Sequence, residues 1–280
     1  MAAETVATNA GPLQRLPEEV THLLKTLDPT SVIGNNAHPV RIASFGEWTL
    51  SVNTVYFLVA CILVVWLVFA MRKKITLKPS KNRFVSLFEF LVDFVRNNVV
   101  SVIKKDGRKY EPFILTAFTF ILISNLIGLV PGTHPGTGII GGTFALAIVV
   151  LVYFNYVGIK DKGFFKYWGS LVPHGVPIWI APVIWIIELI SMLLRPITLA
   201  LRLFANIYAG HIVLGIFALL TGLFAEATIQ GLGAGYIAAS PAWLILLIAL
   251  YVLELVVAFV QAYVFSLLTA VYIDSATSSH

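Results

Sequence analysis

The sequence has a single cysteine, Cys61, set inside an apolar run. No disulfide can form within the chain, and neither a thiolate metal site nor a dithiol redox motif can be built. Charge is equally scarce: Asp, Glu, Lys and Arg make up 12% of residues against 58% hydrophobic, with a mean hydropathy of +0.88. A soluble domain needs far more polar surface to face water, so the bilayer is the expected solvent. No phosphate loop or dinucleotide fingerprint is present, which removes nucleotide chemistry, and no cofactor or metal is expected. The isoelectric point near 9.3 does not point to nucleic acid, because the Lys and Arg residues cluster beside apolar segments instead of covering an aromatic-interleaved face. A basic start followed by an apolar core is also missing: the first 47 residues carry Glu18, Glu19 and Asp28. No cleaved signal peptide is expected, and the first span serves as an uncleaved targeting signal.

What is present is a series of long apolar runs. Residues 52–71 are long enough to cross a hydrocarbon core of about 30 Å. Arg72, Lys73, Lys74, Lys78, Lys81 and Arg83 follow at once, which sets that side as cytoplasmic and the N-terminus outside. Over 84–103, Phe84, Leu87, Phe88, Leu91, Phe94 and Val95 recur at helical spacing with Glu89, Asp93, Arg96 and Asn97 between them. This pattern predicts an amphipathic helix at the cytoplasmic interface; as a span it would carry several ionisable groups at roughly 2.5 to 3.5 kcal/mol each near its centre. Further spans are expected at 112–130 and 139–157, with no Lys or Arg in the loop between them and Lys160, Lys162 and Lys166 after the second. Two longer segments, 178–224 and 242–273, exceed a perpendicular crossing and should be tilted or bent. The reading is therefore an all-α polytopic membrane protein: an extracytoplasmic segment 1–50, then a single membrane domain 51–280 with five crossing helices and one interfacial helix, the last two long and tilted as a hairpin, and the C-terminus cytoplasmic.

Beyond Lys166 only two basic residues remain, Arg195 and Arg202, and both lie in the fourth segment. An arginine within a bilayer costs several kcal/mol and persists where it faces a polar cavity, a carboxylate or a partner protein. Glu188, Arg195 and Arg202 are spaced seven and seven, with Asn206 four residues on, so one polar stripe runs along an apolar helix. For Glu188 and Arg195 an internal salt bridge that only packs helices is an equal alternative. The fifth segment holds Glu254 and Gln261, again seven apart. In an antiparallel hairpin, residues at one depth have a near-constant sum of positions, which sets Arg202 level with Gln261 and His211 level with Glu254. His211 lies almost opposite Arg202 around a straight helix. A bend after Pro196 or bridging water could join His211 to Glu254, or the two faces could serve a partner and an aqueous channel separately. With Glu226 beyond them in the outer loop, His211 and Glu254 suit a proton relay. Ala200, Ala205, Ala209 and Gly210 would let another helix approach closely, from within this chain or from a partner.

The run Leu199–His211, LALRLFANIYAGH, resembles the signature of subunit a of F-type ATP synthases. The resemblance extends through PHGVP at Pro173–Pro177, Glu188, RPITL from Arg195, QAYVFSLLTAVY from Gln261 and SNLIGLVPG at Ser124–Gly132. It implies a stator of the Fo sector, lying against a ring of c subunits, held by peripheral-stalk b subunits and other ATP synthase subunits, and carrying two offset aqueous half-channels. Arg202 falls on the family's essential arginine. Asn206, Gln261 and Glu188 match path-lining positions, His211 and Glu254 match the outer half-channel pair, and Asn125 is a further candidate lining residue; Arg195 and Glu226 are weaker candidates. Gly128 departs from family members that carry a carboxylate there. ATP chemistry then belongs to other subunits, and the expected site is a bacterial plasma membrane. Two alternatives stand beside it: an independent ion transporter or channel, and a membrane scaffold whose arginines only hold partners.

Overall fold

A computed structural model describes residues 41–45, 48–72, 83–130, 136–138, 140–172, 177, 179–230 and 234–278. The segment 1–40 and most of the 173–177 motif lie outside the described residues. A short antiparallel hairpin comes first, β1 (Arg41–Phe45) paired with β2 (Trp48–Ser51), with Phe45 opposite Trp48. This is an addition to the helical architecture read from the sequence; aromatic residues set opposite each other suit a pleated pair.

Everything else is helical. The helices are α1 (Val52–Arg72), α2 (Arg83–Asn98), α3 (Gly107–Gly128), α4 (Ile140–Lys162), α5 (Phe164–Gly169), α6 (Ala181–Ile229) and α7 (Ala234–Thr277). Short 3-10 turns occupy Val100–Val102 and Gly136–Gly138. Among the described residues, α3, α4, α6 and α7 are long and apolar enough to cross a membrane, and α1 contributes a shorter apolar stretch, Thr54–Leu67. At 1.5 Å per residue, the 49 residues of α6 and the 44 of α7 span about 74 and 66 Å, more than twice the hydrocarbon thickness.

The chain falls into two compact units, one of residues 52–204 and 258–280, the other holding 205–257 together with the hairpin. In the first, α3 is the central element: α1 and α2 both pack on it. Ile114, Phe118 and Ile121 of α3 are fully buried. Phe94 of α2 and Phe259 of α7 close on Phe118 at ring distances of 6.4 and 5.9 Å. The amphipathic α2 therefore buries Val85, Phe88 and Val95 against protein while Leu87 and Phe90 remain exposed. Arg96 fixes the corner into α3, its Nε and Nη2 donating to Glu111 Oε1 at 3.0 and 2.7 Å. That bond holds the Arg96 guanidinium above its ordinary pKa.

The turn from α4 to α5 passes through Gly163 at φ +85°, a left-handed conformation that glycine adopts without strain. It folds Tyr167 back over α4, where a Cβ on Gly158 would run into the tyrosine ring. Tyr167 then donates to Asn155 Oδ1 at 2.9 Å.

In the second unit, the end of α6 and the start of α7 form an antiparallel pair. The Trp243 ring stacks on Phe224 at 5.5 Å, and Thr221 Oγ1 donates to the Trp243 carbonyl at 3.3 Å. Both helices run further than their apolar runs. Helix α6 continues to Ile229, so Glu226 sits in its last turn and not in the loop where the hydropathy placed it. The stretch FAEATI, with Ala225 and Ala227, is compatible with helix beyond the apolar run.

Candidate functional site

The polar residues of α6 and α7 divide by unit. In the larger unit, Arg195 Nη2 donates to Glu188 Oε1 at 2.9 Å, and its guanidinium lies 5.4 Å from the Tyr272 ring centroid. The spacing of seven brings the two charges onto one face, as expected from sequence. They border a cavity of about 130 Å³ whose wall also includes Lys162, Tyr167, Tyr272 and Ser275. That volume, polar on several sides, has room for a few waters.

Arg202, two turns further along α6, has very different surroundings. It is exposed, together with Thr198 and Leu201, while Leu199, Ala200 and Leu203 on the other side are buried. Among the described residues no carboxylate lies within ion-pair distance of Arg202, and no hydrogen bond joins it to Gln261. Gln261 is buried on α7 at 8% exposure, and its Nε2 has no partner. One turn before it, the Ala258 carbonyl accepts a bond from Asn125 Nδ2 at 3.3 Å, and Asn125 Oδ1 is also left unpaired. Two buried polar residues on α3 and α7 thus have unused capacity within a turn of each other, an arrangement that ordered water would satisfy.

In the smaller unit, Glu254 is half-buried and its carboxylate lies against the Cα of Gly210. The depth match between this stretch of α6 and Glu254, read from the sum of positions, is therefore found at the residue next to His211. His211 and Asn206 are half-buried. Ala205 and Ala209 are exposed, whereas Gly210 and Ala200 are buried. The small residues thus divide between internal packing and open surface. Glu226 accepts from Gln230 Nε2 at 2.8 Å within the last turn of α6.

Sequence reasoning missed Tyr272, Asn155 and Tyr167. Tyr272 carried a usable signal: it lies eleven residues beyond Gln261, three helical turns, on the face already marked by Glu254 and Gln261. Asn155 is a lone amide in an apolar span, which asks for a partner.

The family model described as ATP synthase A chain matches residues 54–274. A protein named ATP synthase subunit a from Acidiphilium cryptum (strain JF-5) is 42% identical over 239 residues, covering 84% of this chain and 90% of its own. Its namesake in Gluconacetobacter diazotrophicus is 36% identical over 242 residues, covering 86% and 94%. That of Nitrobacter hamburgensis (strain DSM 10229 / NCIMB 13809 / X14) is 39% identical over 224 residues, covering 80% and 87%. With the match spanning nearly all of the membrane helices and relatives that share most of their length with it, the chain belongs to the ATP synthase A chain family.

Proposed function

We propose that this chain is the proton-conducting stator of the Fo sector, with Arg202 facing a ring of c subunits and two offset half-channels leading to it. The observation that carries the reading is Arg202, exposed within a membrane helix and without an ion-pair partner among the described residues. A guanidinium is a permanent cation, and placing one in a span without a carboxylate in its own chain costs several kcal/mol. A second chain that presents a carboxylate at that depth removes the cost. On α6, positions 198, 202, 205 and 209 follow at helical spacing and all are exposed, three of them small. That face lets a neighbouring helix come close.

The guanidinium favours the ionised form of a ring carboxylate as it passes, which releases its proton into one half-channel. The same charge repels a proton attempting a direct crossing, so passage requires rotation. The inner half-channel is assigned to the water-sized cavity beside Glu188 and Arg195. The outer one is assigned to His211 and Glu254, with Glu226 beyond them; Asn206, Gln261 and Asn125 are assigned as path-lining residues. Moving one charge across 100 mV yields about 2.3 kcal/mol, so several protons pass per ATP made by other subunits. The partners are the c ring, peripheral-stalk b subunits and the remaining ATP synthase subunits. The membrane domain 51–280 sits in a bacterial plasma membrane, with segment 1–50 outside and the C-terminus in the cytoplasm.

The test is ATP-driven and ΔpH-driven proton flux in vesicles carrying Arg202→Ala or Arg202→Lys, with assembly of the complex measured in parallel. Coupled pumping should fall to background in complexes that assemble normally. Normal pumping by Arg202→Ala would make the residue structural. Flux through the isolated chain would favour an independent channel instead.

A further inference from the structure

The larger unit carries a second cavity, of about 800 Å³, at the C-terminal ends of α4 and α7. Lys104, Lys105, Lys162 and Lys166 line it, with Asp161 and Asp274 as the acidic members of the wall. Both carboxylates are already engaged. Asp161 accepts from Lys105 Nζ through both oxygens at 2.8 Å, and Asp274 Oδ1 accepts from the backbone N–H of Lys104 at 3.0 Å. Lys162 Nζ donates to the Ser278 carbonyl at 2.7 Å, which fixes its position without neutralising it. Lys104 and Lys166 are exposed, and among the described residues neither ammonium has an ion-pair partner. Four ammonium groups thus converge on one hollow with two carboxylates.

We propose that this cavity binds a phosphate group, of the kind carried by an anionic phospholipid headgroup. Cationic pockets between helix ends at the membrane surface attract such groups, at roughly a fivefold gain in affinity per lysine. The depth is right for a headgroup, since the cavity lies where the apolar stretch of α4 gives way to Lys160, Asp161 and Lys162. A neighbouring hollow of about 330 Å³ shares Asp161 and is walled by Tyr110, Tyr153 and Tyr156. Tyrosine rings at that level are the usual companions of lipid headgroups and upper acyl chains. The hollow also holds Lys160, whose ammonium sits 5.6 Å from the Tyr156 ring centroid.

The test uses the full-length chain in detergent, titrated with phosphatidylglycerol and followed by native mass spectrometry, with phosphatidylcholine as the neutral reference. Lys104→Gln with Lys166→Gln should weaken phosphatidylglycerol retention roughly 30-fold. Lys104→Arg with Lys166→Arg should keep it, since guanidinium also binds phosphate, and this pair shows that the loss is not a folding defect. Arg83→Gln with Arg108→Gln removes the same charge away from the cavity and should change retention less than twofold. If 10 mM inorganic phosphate displaces the lipid and by itself protects Lys166 from acetylation, the bound phosphate is a soluble one; if the lipid resists, the headgroup is the ligand. Retention in the double Gln variant equal to that of the unaltered chain overturns the site. So does full shielding of Lys104 and Lys166 in an assembled complex held in phosphatidylcholine alone, because a protein partner would then fill the cavity.

Discussion

Arg195 and Arg202 stand two turns apart on one helix, yet Arg195 has a carboxylate at 2.9 Å and, among the described residues, Arg202 has none within ion-pair distance. That contrast makes separate predictions for each. Glu188→Gln leaves a half-exposed guanidinium beside a water-sized cavity, so the stability loss should be small, about 1 kcal/mol after screening. Pumping should fall severalfold if the cavity serves proton release, whereas an unchanged rate would leave the pair as helix packing. Gly210 offers a sharper test. A methyl group there meets the end of the Glu254 side chain, which is flexible and can swing aside. Gly210→Ala should therefore shift the melting temperature little; if Glu254 is the relay proposed above, proton flux should fall about tenfold or more, because displacing such a carboxylate by even 1 Å is costly to transfer. A large drop in melting temperature with flux per complex preserved would reverse that assignment. Gly158→Ala behaves oppositely: its methyl group meets the ring of Tyr167, which is anchored on Asn155. Overpacking of this kind costs about 1 to 3 kcal/mol, visible as a lower melting temperature.

At the scale of elements, the spans were legible in the sequence because apolar runs report hydrocarbon thickness. Helix ends were not, because hydrogen bonding along the backbone continues through the polar interface. Helix α3 starts at Gly107, before its Pro112, and α7 starts at Ala234, before its Pro241. These prolines are the sixth and eighth residues of their helices, past the four N–H groups left free at a helix start, so each removes one backbone hydrogen bond inside a helix that continues through it, and neither marks the boundary that its reputation suggests. The interfacial helix was legible from its period, but its partner was not: the Arg96–Glu111 bond joins residues fifteen apart across a corner, and no spacing rule anticipates it. Likewise the spacing of seven announced Glu188 and Arg195, while Tyr272 beside Arg195 depends on how α6 and α7 pack. Arg96 is about half exposed, so a double-mutant cycle of Arg96→Ala with Glu111→Gln should return a coupling of only about 0.5 to 1 kcal/mol. Coupling near zero would mean that the buried face of α2, with Val85, Phe88 and Val95, positions the helix unaided.

For the whole molecule, the distribution of charge predicts which loops face the cytoplasm. Lys73, Lys74, Lys78 and Lys81 follow α1, and Lys160, Lys162 and Lys166 cluster at the end of α4 and just beyond it, whereas the segments that follow α3 and α6 have no Lys or Arg before the next helix. Loops that carry such bias stay in the cytoplasm, with little influence from acidic residues. Alkaline phosphatase, which is active only outside the cytoplasm, should therefore be inactive when fused after Lys162 or Ser278 and active when fused after Gly233. On that expected orientation, the Lys104 to Lys166 cavity and the Glu188–Arg195 pair would both face the cytoplasmic side. Activity after Lys162 would invert both together. The proposed rotary mechanism would survive such a result, since the exposed arginine would be unchanged, but the half-channel proposed beside Glu188 would then open to the outside, and the direction of rotation for a given gradient would reverse.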